Sequence, residues 1–401
     1  MGATPAEESL TAHALVVRQH MADSELKGWD PYDGLTSPLF RLPILHSNWL
    51  IRFGAQQVIL RSPVNLRPLL RTPKQLNAVT IGLYLRGLSD LVEAEALDAA
   101  SFADEVNGYV TVLSGLRSEG WSGTCWGYPF PWEGRRGAHR TPANFPTVVA
   151  TGMIVNGLHR AWRVFGNQEA REMVVDSANF VLNDLQRVAE DDSGWCWSYS
   201  PADSQSVPNA TMKGSRLIAQ AVDAGFDNSA LDAAFSSARW AAQQQQADGG
   251  WAYAVAGDPR SWRDQFHTGY ILECFASLKE LTGVGNFDST ISRGWEHYRS
   301  TFFTPDSLPK YYDSTEAPLD PTAAGQALIT LSQFGDVSYA EKVADAVNGR
   351  LANADGSFRY RPSGSHGRSG NIEYMRWSTA WMFAGMAQLI LAGRNRPTSG
   401  D

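Results

Sequence analysis

Residues 310–335 read KYYDSTEAPLDPTAAGQALITLSQFG, and they contain one complete unit of the pattern that decides the fold. The first half is a loop with two tyrosines, acidic residues and proline. The second half has small and apolar residues at helical spacing. Asp320 followed by Pro321 predicts the N-cap and first position of a helix, and the closing glycine is typical of a helix end. The unit is therefore predicted to be an aromatic loop that leads into a buried helix.

This unit recurs along the chain. Related aromatic-rich loops occur at residues 29–35 (WDPYDGL), 120–132, 194–201, 248–255 and 355–362. The small, apolar helices that follow the six loops are predicted to begin near residues 77, 146, 209, 267, 321 and 377. The spacing of roughly 55 to 70 residues is about one helical hairpin with its loops.

A more polar helical segment precedes each loop. These segments span residues 6–22, 101–117, 168–189, 228–246, 287–303 and 337–352. Their charged residues lie opposite an apolar stripe, which is typical of helices with one solvated face. The sequence therefore predicts an all-α protein, a closed (α/α)6 toroid in which six outer helices surround six inner ones.

The predicted domain organisation is a single toroid over residues 1–392. Residues 23–76 interrupt the first hairpin with a Pro-rich stretch that is long for a connection in a compact domain. We expect this insertion to cover one mouth of the toroid. The tail at 393–401 is expected to be disordered.

Composition excludes several classes of protein. The 401 residues are 43% hydrophobic and 19% charged, which is typical of a globular chain with a large core. A net charge of −8 argues against nucleic acid as partner. No stretch approaches the roughly 20 apolar residues of a membrane span, and the first twenty residues do not resemble a secretory signal. We therefore expect a cytoplasmic protein.

The three cysteines do not indicate a metal or disulfide framework. Cys125, Cys196 and Cys274 are far apart and form no CxxC pair. No metal and no cofactor are therefore expected.

The toroid topology brings all six aromatic loops to the same mouth, although they are distant in sequence. Aromatic faces among carboxylates, amides and arginines suit a carbohydrate, because its CH faces stack on rings and its hydroxyls need hydrogen bonds. A poly- or oligosaccharide is the predicted partner.

Several motifs carry a resemblance to a known family. GWDPYDGL (28–35), YYDSTEAPLDPTAAGQALITL (311–331), DGSFRYRP (355–362) and NIEYMRWSTAWMFAGMAQLI (371–390) resemble a poorly characterised bacterial family found with polysaccharide biosynthesis genes. Through it, nearly the whole chain resembles the six-hairpin glycosidase superfamily. The resemblance implies a hydrolase, a lyase or a uronate epimerase acting on poly- or oligosaccharides.

Hydrolysis of a glycosidic bond, the preferred reaction, usually requires two carboxylates, one acid and one base or nucleophile. Five acidic residues lie in loops without an evident capping duty: Asp30, Asp33, Asp313, Glu316 and Glu373. Their spacing does not select the pair.

A lyase or a uronate C5-epimerase is the alternative for the same cleft. Abstraction of the proton α to a carboxylate needs a base, for which His267 and Tyr374 are the candidates, and a group that stabilises the enolate. The toroidal lyases that this chain resembles use Asn, His, Tyr and Arg, and Asn144, Asn209 and Arg376 are available in the loops.

Aromatic residues and arginines are the further candidates for substrate binding. Those in the longest loops, among Pro and Gly, are Trp29, Tyr32, Trp126, Tyr128 and Trp132; the others are Trp197, Trp251, Tyr312 and Trp377. Such rings can equally be hydrophobic plugs between hairpins. Arginines concentrate at 134–140 and 358–368, including Arg135 and Arg361. They are expected either to bind an anionic sugar or to be solvated charges of the loops.

Two other classes of protein stay open. QADGGW (246–251) is similar to the QW motif of triterpene cyclases, although the DxDD acid motif is absent. A terpenoid cyclase would need an apolar cavity, whereas these loops are rich in Asn, Asp and Arg. A non-catalytic glycan-binding protein would keep the rings without poised carboxylates, and turnover separates it from an enzyme.

Overall fold

The computed structural model describes residues 5–62, 64–134, 140–362 and 372–396. In chain order its helices are α1 (Pro5–Asp23), α2 (Pro43–Ser47), α3 (Trp49–Arg61), α4 (Ala78–Glu93), α5 (Ala99–Gly115), α6 (Val148–Phe165), α7 (Gln168–Asn179), α8 (Pro208–Asp223), α9 (Leu231–Gln243), α10 (Gln265–Thr282), α11 (Asp288–Thr301), α12 (Pro321–Gln333), α13 (Val337–Leu351) and α14 (Ala380–Arg394). Short antiparallel hairpins pair β1 (Lys27–Gly28) with β2 (Gln75–Leu76), β3 (Trp132–Glu133) with β4 (Arg140–Thr141), and β5 (Arg187–Asp191) with β6 (Gly194–Trp197).

Six helices form a closed inner ring. α4, α6, α8, α10, α12 and α14 each pack against the next, and α14 packs back on α4. Nearly every residue of these helices is buried, as expected for helices surrounded on all sides. The ring confirms the predicted (α/α)6 toroid, and the six observed starts agree closely with the predicted ones.

The outer helices are amphipathic and cover the inner ring. α5 packs on α4 and α6, α7 on α6 and α8, and α13 on α12 and α14. α9 packs on α8, and α11 packs on α10. α1 packs on α14. Because each outer helix runs antiparallel to the inner helix that follows it, all long loops lie at the N-terminal ends of the inner helices. We call this end the long-loop mouth and the other end the short-connection mouth.

Local side chains fix where the inner helices begin. Asp320 accepts hydrogen bonds from the backbone N–H groups of Thr322 and Ala323, which confirms the predicted N-cap. Thr147 and Asp264 cap α6 and α10 in the same way. The starts of these helices are therefore fixed by residues within one turn of the chain.

The axis of the ring holds a buried ionic network centred on Glu273 of α10. Its carboxylate lies 2.7 Å from Nη1 of Arg86 and 2.9 Å from Nη1 of Arg216. Nζ of Lys213 is 3.9 Å away, and Nε2 of Gln326 donates at 3.4 Å. Burial opposes ionisation, but the three cations hold the pKa of Glu273 well below its usual range. Side chains from α4, α8, α10 and α12 thus meet at one carboxylate.

One outer segment differs from its prediction. A helix was expected over 168–189, but α7 ends at Asn179, a single π turn covers Phe180–Asp184, and strand β5 follows. The chain turns into a β5–β6 hairpin that closes at Gly194, whose φ of 151° suits only glycine. A Cβ there would lie 1.9 Å from the carbonyl oxygen of Ser236. The tight approach to α9 therefore replaces the end of the predicted helix with a strand.

The insertion at 23–76 contains α2, α3 and two 3₁₀ turns. Arg52 of α3 bonds to Glu133 of β3, and Arg67 donates to Asp33 and to the hydroxyl of Tyr374. These contacts place the insertion against the long-loop mouth. At the other end of the chain, α14 extends to Arg394, and most of the tail predicted at 393–401 lies outside the described residues.

Glycines allow two pairs of inner helices to touch through their backbones. A Cβ built on Gly157 of α6 would lie 2.1 Å from the carbonyl oxygen of Gly82 in α4. A Cβ on Gly385 of α14 would lie 2.6 Å from the carbonyl oxygen of Gly325 in α12. Any larger residue at these positions forces the helices apart.

We predict that Gly157→Ala lowers the free energy of unfolding by about 1–3 kcal/mol, because the added methyl group overpacks the α4–α6 contact. Gly108→Ala is the matched control, since Gly108 is also helical but has no atom within 4 Å of its Cβ direction. That change should leave stability unchanged or raise it by up to about 1 kcal/mol. Urea unfolding followed by circular dichroism measures both, and equal effects would contradict the close approach.

Candidate functional site

Side chains from different loops converge at the long-loop mouth. The ring of Tyr32 lies 5.1 Å from Trp132 of the second loop and 5.6 Å from Trp377 of the sixth. Phe266, at the start of α10, lies 6.0 Å from Trp377 and 5.3 Å from Tyr311 of the fifth loop. We call these five residues, together with Tyr128, Tyr199, Tyr253 and Tyr270, the aromatic cluster.

Asp30 and Asp33 of the first loop each form a buried ion pair with an arginine. Asp30 accepts from Nε and Nη2 of Arg376 at 2.5 and 3.0 Å. Asp33 accepts from Nε of Arg67 at 2.5 Å and from its own turn through the backbone N–H of Asp30 at 2.9 Å. Burial raises the pKa of the Asp33 carboxyl to about 7, and Arg67 only partly opposes the rise. Both acids therefore hold the first loop in place.

The other three candidate acids lie further from the aromatic cluster or have partners of their own. Asp313 accepts from Nε of Arg263 at 2.6 Å, which joins the fourth and fifth loops. Glu316 is exposed. Oε1 of Glu373 lies 2.9 Å from Nε2 of His20 and accepts from Oγ1 of Thr379 at 2.6 Å. Four of the five predicted acids therefore have a basic partner, and the fifth, Glu316, is exposed.

His267 and Asp264 form a polar pair beside the aromatic cluster. Asp264 caps α10 with Oδ1 and lies 2.7 Å from Nδ1 of His267 through Oδ2. The same Oδ2 accepts from the indole Nε1 of Trp262 at 3.0 Å. The His267 side chain is 21% exposed, and its Nε2 has no hydrogen-bond partner in the described part of the chain. The ring of Tyr253 lies 4.7 Å away.

The sequence prediction contained His267 but missed Asp264. The signal was present in RDQFH (263–267), where an N-cap Asp three residues before a His allows one carboxylate to cap the helix and to hold the ring. Tyr374, the other candidate base, accepts from Nη1 of Arg67 at 2.9 Å. Burial raises the pKa of Tyr374 to about 12, which disfavours the phenolate that a base would need.

Three of the predicted sugar-binding tryptophans lie in the core. Trp126, Trp197 and Trp251 are at most 2% exposed, so they fill space between helices instead of facing a ligand. The indoles of Trp126 and Trp251 donate to backbone carbonyls of Leu113 and Ala241, both at 2.9 Å. These rings are the hydrophobic plugs that the alternative interpretation described.

The remaining candidates for binding differ in exposure. Tyr32, Tyr128, Trp132, Tyr312 and Trp377 are partly exposed at the long-loop mouth. Trp29 is also half-buried, and its indole donates to the carbonyl of Thr72 at 3.0 Å. Asn209 is buried near the start of α8, whereas Asn144 is exposed in a loop with a φ of 61°.

The candidate arginines are mostly neutralised. Nε of Arg361 donates to Asp320 at 2.8 Å, and its guanidinium lies 4.5 Å from the centre of the Tyr311 ring. Its side chain is 23% exposed. Arg376 is buried against Asp30, and Arg135 lies outside the described residues. Of the candidate arginines, Arg361 is therefore the one for which the structure shows both partial exposure and contact with the aromatic cluster.

The short-connection mouth contains a cavity of about 700 Å³ lined by polar and charged side chains. Asp90 pairs with Arg160 at 2.8 Å, and His159 lies 2.8 Å from Asp223. No Trp, Tyr or Phe is among the described residues that line it. Because sugar sites use aromatic faces, the long-loop mouth is the better candidate although it is the more closed of the two.

In the described ranges, no group of three or more His, Cys, Asp and Glu side chains is arranged to hold a metal ion. Among the helices of the described chain, none has the length and apolar character needed to cross a bilayer.

Comparison with solved structures defines the class of fold. No family model and no curated protein matches the sequence. Cellobiose 2-epimerase from Bacillus thermoamylovorans B4167 matches with a TM-score of 0.61 at 10% identity, over 80% of this chain and 90% of the epimerase. The fold is thus that of the six-hairpin glycosidase-like superfamily, as the sequence resemblance implied.

Two further structures widen the comparison. A glycoside hydrolase family 76 mannosidase from Bacteroides thetaiotaomicron VPI-5482 matches with a TM-score of 0.58 at 10% identity, over 97% of this chain and 100% of the mannosidase. A possible GH105 member from Salmonella enterica matches with a TM-score of 0.55 at 11% identity, over 80% of this chain and 83% of its own. The same fold therefore occurs in hydrolases and in an epimerase.

We predict that Asp30→Asn lowers the free energy of unfolding by about 3–5 kcal/mol, because it leaves the buried Arg376 guanidinium uncompensated. Glu316→Gln is the control, since it removes an acid that is exposed. Thermal unfolding measures both. A stable Asp30→Asn variant that has lost turnover would instead indicate that Asp30 has a catalytic role.

The His20–Glu373 pair should make stability depend on pH. The hydrogen bond with Glu373 raises the pKa of His20 above its usual value of 6.5, and burial only partly opposes this. A raised folded-state pKa contributes stability that is complete below 6.5 and is lost as the pH rises through the folded-state value. Urea unfolding at a series of pH values should show this loss for the wild type. Neither His20→Gln nor Glu373→Gln should show it.

Proposed function

We propose that the protein is an enzyme that acts on a poly- or oligosaccharide at the long-loop mouth, by transferring a proton through His267. The observation that carries the proposal is the His267–Asp264 pair, whose free Nε2 adjoins the aromatic cluster. The fold supports a carbohydrate substrate, since cellobiose 2-epimerase and the family 76 mannosidase share it. The motifs that resemble a bacterial family support a role in polysaccharide metabolism.

Asp264 prepares His267 for proton transfer. Because Oδ2 of Asp264 also accepts from Trp262, the carboxylate acts as acceptor and the proton of the neutral ring resides on Nδ1. The lone pair of Nε2 is then available to take a proton from a sugar carbon next to a carbonyl or carboxylate group. The Asp264 carboxylate then stabilises the imidazolium that forms.

This chemistry favours epimerisation or elimination over hydrolysis. Delivery of a proton to the opposite face of the carbon, by water or a second acid, gives an epimer. Loss of a leaving group from the neighbouring carbon, with the proton of His267 passing to that group, gives an unsaturated sugar. Arg361 can hold a uronate carboxylate or stabilise an enolate, because it is partly exposed and contacts Tyr311 of the aromatic cluster. The substrate that fits best is therefore a sugar with a carboxylate or a reducing end.

Hydrolysis is the second candidate, and Asp33 is the observation that favours it. A carboxyl with a pKa of about 7 has the protonation state of a general acid near neutral pH. It would have to leave Arg67 to reach a glycosidic oxygen, since its side chain is only 3% exposed. A separate carboxylate would also have to complete the pair.

Incubation in D₂O separates these reactions from each other. Cellobiose, α-mannan oligosaccharides and uronate-containing oligosaccharides are suitable substrates for the test. Epimerisation through His267 places deuterium on a sugar carbon, and elimination produces a conjugated double bond that absorbs ultraviolet light. Hydrolysis produces new reducing ends without a carbon–deuterium bond. Binding without any product would identify a glycan-binding protein and contradict the proposal.

We predict that His267→Gln lowers kcat by about 10²- to 10⁴-fold, because it removes the proton-transferring group. Asp264→Asn should lower kcat and shift the pH profile, because the ring would lose its carboxylate partner. His159→Gln is the matched control, since it breaks a similar His–Asp pair at the short-connection mouth. The reverse result, with His159 essential and His267 dispensable, would place the active site at the short-connection mouth. Thermal unfolding of each variant shows that it is folded.

A further inference from the structure

The insertion exposes large apolar side chains in a way that the rest of the described chain does not. Most of the exposed large hydrophobic residues belong to this stretch: Leu39, Leu42, Ile44, Leu50, Ile51, Val58, Val64 and Leu69. Ile44 is 76% and Leu69 80% exposed. The others in the described residues, Val16, Val112 and Trp262, are scattered over α1, α5 and the fourth loop. We call the exposed apolar set between residues 39 and 69 the insertion face.

The helix α3 differs from an ordinary surface helix in the residues that it buries. Its protein-facing side carries one apolar residue, Ile59, and two polar ones, Arg52 and Gln56. Arg52 bonds to the carboxylate of Glu133, and Gln56 exchanges hydrogen bonds with the backbone of Glu133 at 3.1 and 3.3 Å. Leu50, Ile51 and Val58 point outward. The polar bonds therefore fix α3 with its apolar side exposed, so that this exposure is built into the fold.

The insertion face is also basic within an acidic protein. No Asp or Glu occurs between Asp33 and Asp90, although the whole chain has a net charge of −8. The exposed bases of this stretch are Arg41, Arg61, Arg71 and Lys74. The buried bases Arg52 and Arg67 are already paired. Exposed positive charge therefore accompanies the exposed apolar residues along this stretch, which contains no Asp or Glu of its own.

We propose that the insertion face binds the surface of an anionic lipid bilayer. Apolar side chains of a short helical segment can enter the boundary between headgroups and acyl chains, while neighbouring Lys and Arg contact lipid phosphates. Both components are present on this face, and a patch of this kind on a chain of net negative charge is unusual for a free surface. The charge complementarity selects an anionic membrane over a neutral one.

Membrane binding would also orient the candidate site. Arg67 of the insertion bonds to Tyr374 and Asp33 at the long-loop mouth, and Thr72 bonds to Trp29. The insertion and the mouth are therefore one connected region. A bilayer on the insertion face would lie beside the mouth, so that a glycan attached to a membrane lipid could reach it. The binding itself does not depend on which reaction takes place.

Flotation of the full chain with vesicles tests the proposal. Vesicles of phosphatidylcholine with phosphatidylglycerol should carry the wild type to the top of the gradient, and high salt should weaken this binding. Vesicles of phosphatidylcholine alone should not. No binding to the anionic vesicles, or equal binding to both kinds, would overturn the proposal.

Variants locate the binding on the insertion face. Ile44→Asp with Leu69→Asp should lower the fraction bound to anionic vesicles at least tenfold, and both positions are so exposed that folding should be retained. Val112→Asp is the matched control, because Val112 is exposed on α5. This variant should bind anionic vesicles as well as the wild type does. Equal binding of all three proteins would overturn the assignment to this face.

Sedimentation velocity tests the rival occupant, a second copy of the chain. A dimeric wild type together with a monomeric double variant would show that the face is a homodimer interface instead.

Discussion

A single buried carboxylate connects the inner ring, and the rest of the structure is arranged around it. Glu273 receives cations from α4 and α8 and an amide from α12, so that four of the six inner helices meet on the axis. An apolar axis of the same volume could be equally stable, because burying ions costs free energy. What the network adds is a fixed position of the inner helices relative to one another along the axis. Arg86 and Arg216 reach Glu273 from only one helical position each, and a shift of either helix by one turn would leave a buried charge unpaired.

The register of the inner helices determines what lies at the long-loop mouth. Each inner helix delivers its first turn and the preceding loop to the same end of the ring, and ion pairs then join the loops to each other. Asp30 joins the first loop to Arg376 of the sixth, and Asp313 joins the fifth loop to Arg263 of the fourth. Most acidic side chains near the mouth are therefore paired with a cation. Within the described residues, His267 still has an unpaired polar atom, because its partner, Asp264, contacts only Nδ1 of the imidazole ring.

The sequence was sufficient to predict what depends on neighbouring residues. The helix starts could be predicted because caps such as Asp320 act within one turn, and the toroid followed from the repeat of loop and helix. Contacts between distant residues could not be predicted in the same way. Nothing near Asp30 indicates that Arg376 will neutralise it, and the spacing of Trp126 or Trp251 is the same for a plug as for a sugar platform. Asp264 was missed although it lies only three residues before His267. Its role as the N-cap of α10 already accounted for an Asp at this position, so nothing in the sequence separately indicated its contact with the imidazole ring.

The closure of the ring has a consequence for the order of assembly. Tyr84 of α4 packs on Phe383 of α14 with ring centres 5.4 Å apart, and the same Phe383 fills the space beside Gly87. The chain between these two helices contains all the other inner ones. While the polypeptide is being synthesised, one flank of α4 therefore stays uncovered until α14 has been made. Partners so distant in sequence make folding slow and leave apolar surface open to wrong contacts meanwhile. The nascent chain thus resembles an open-ended repeat protein, and it becomes a closed body only when its two end helices meet.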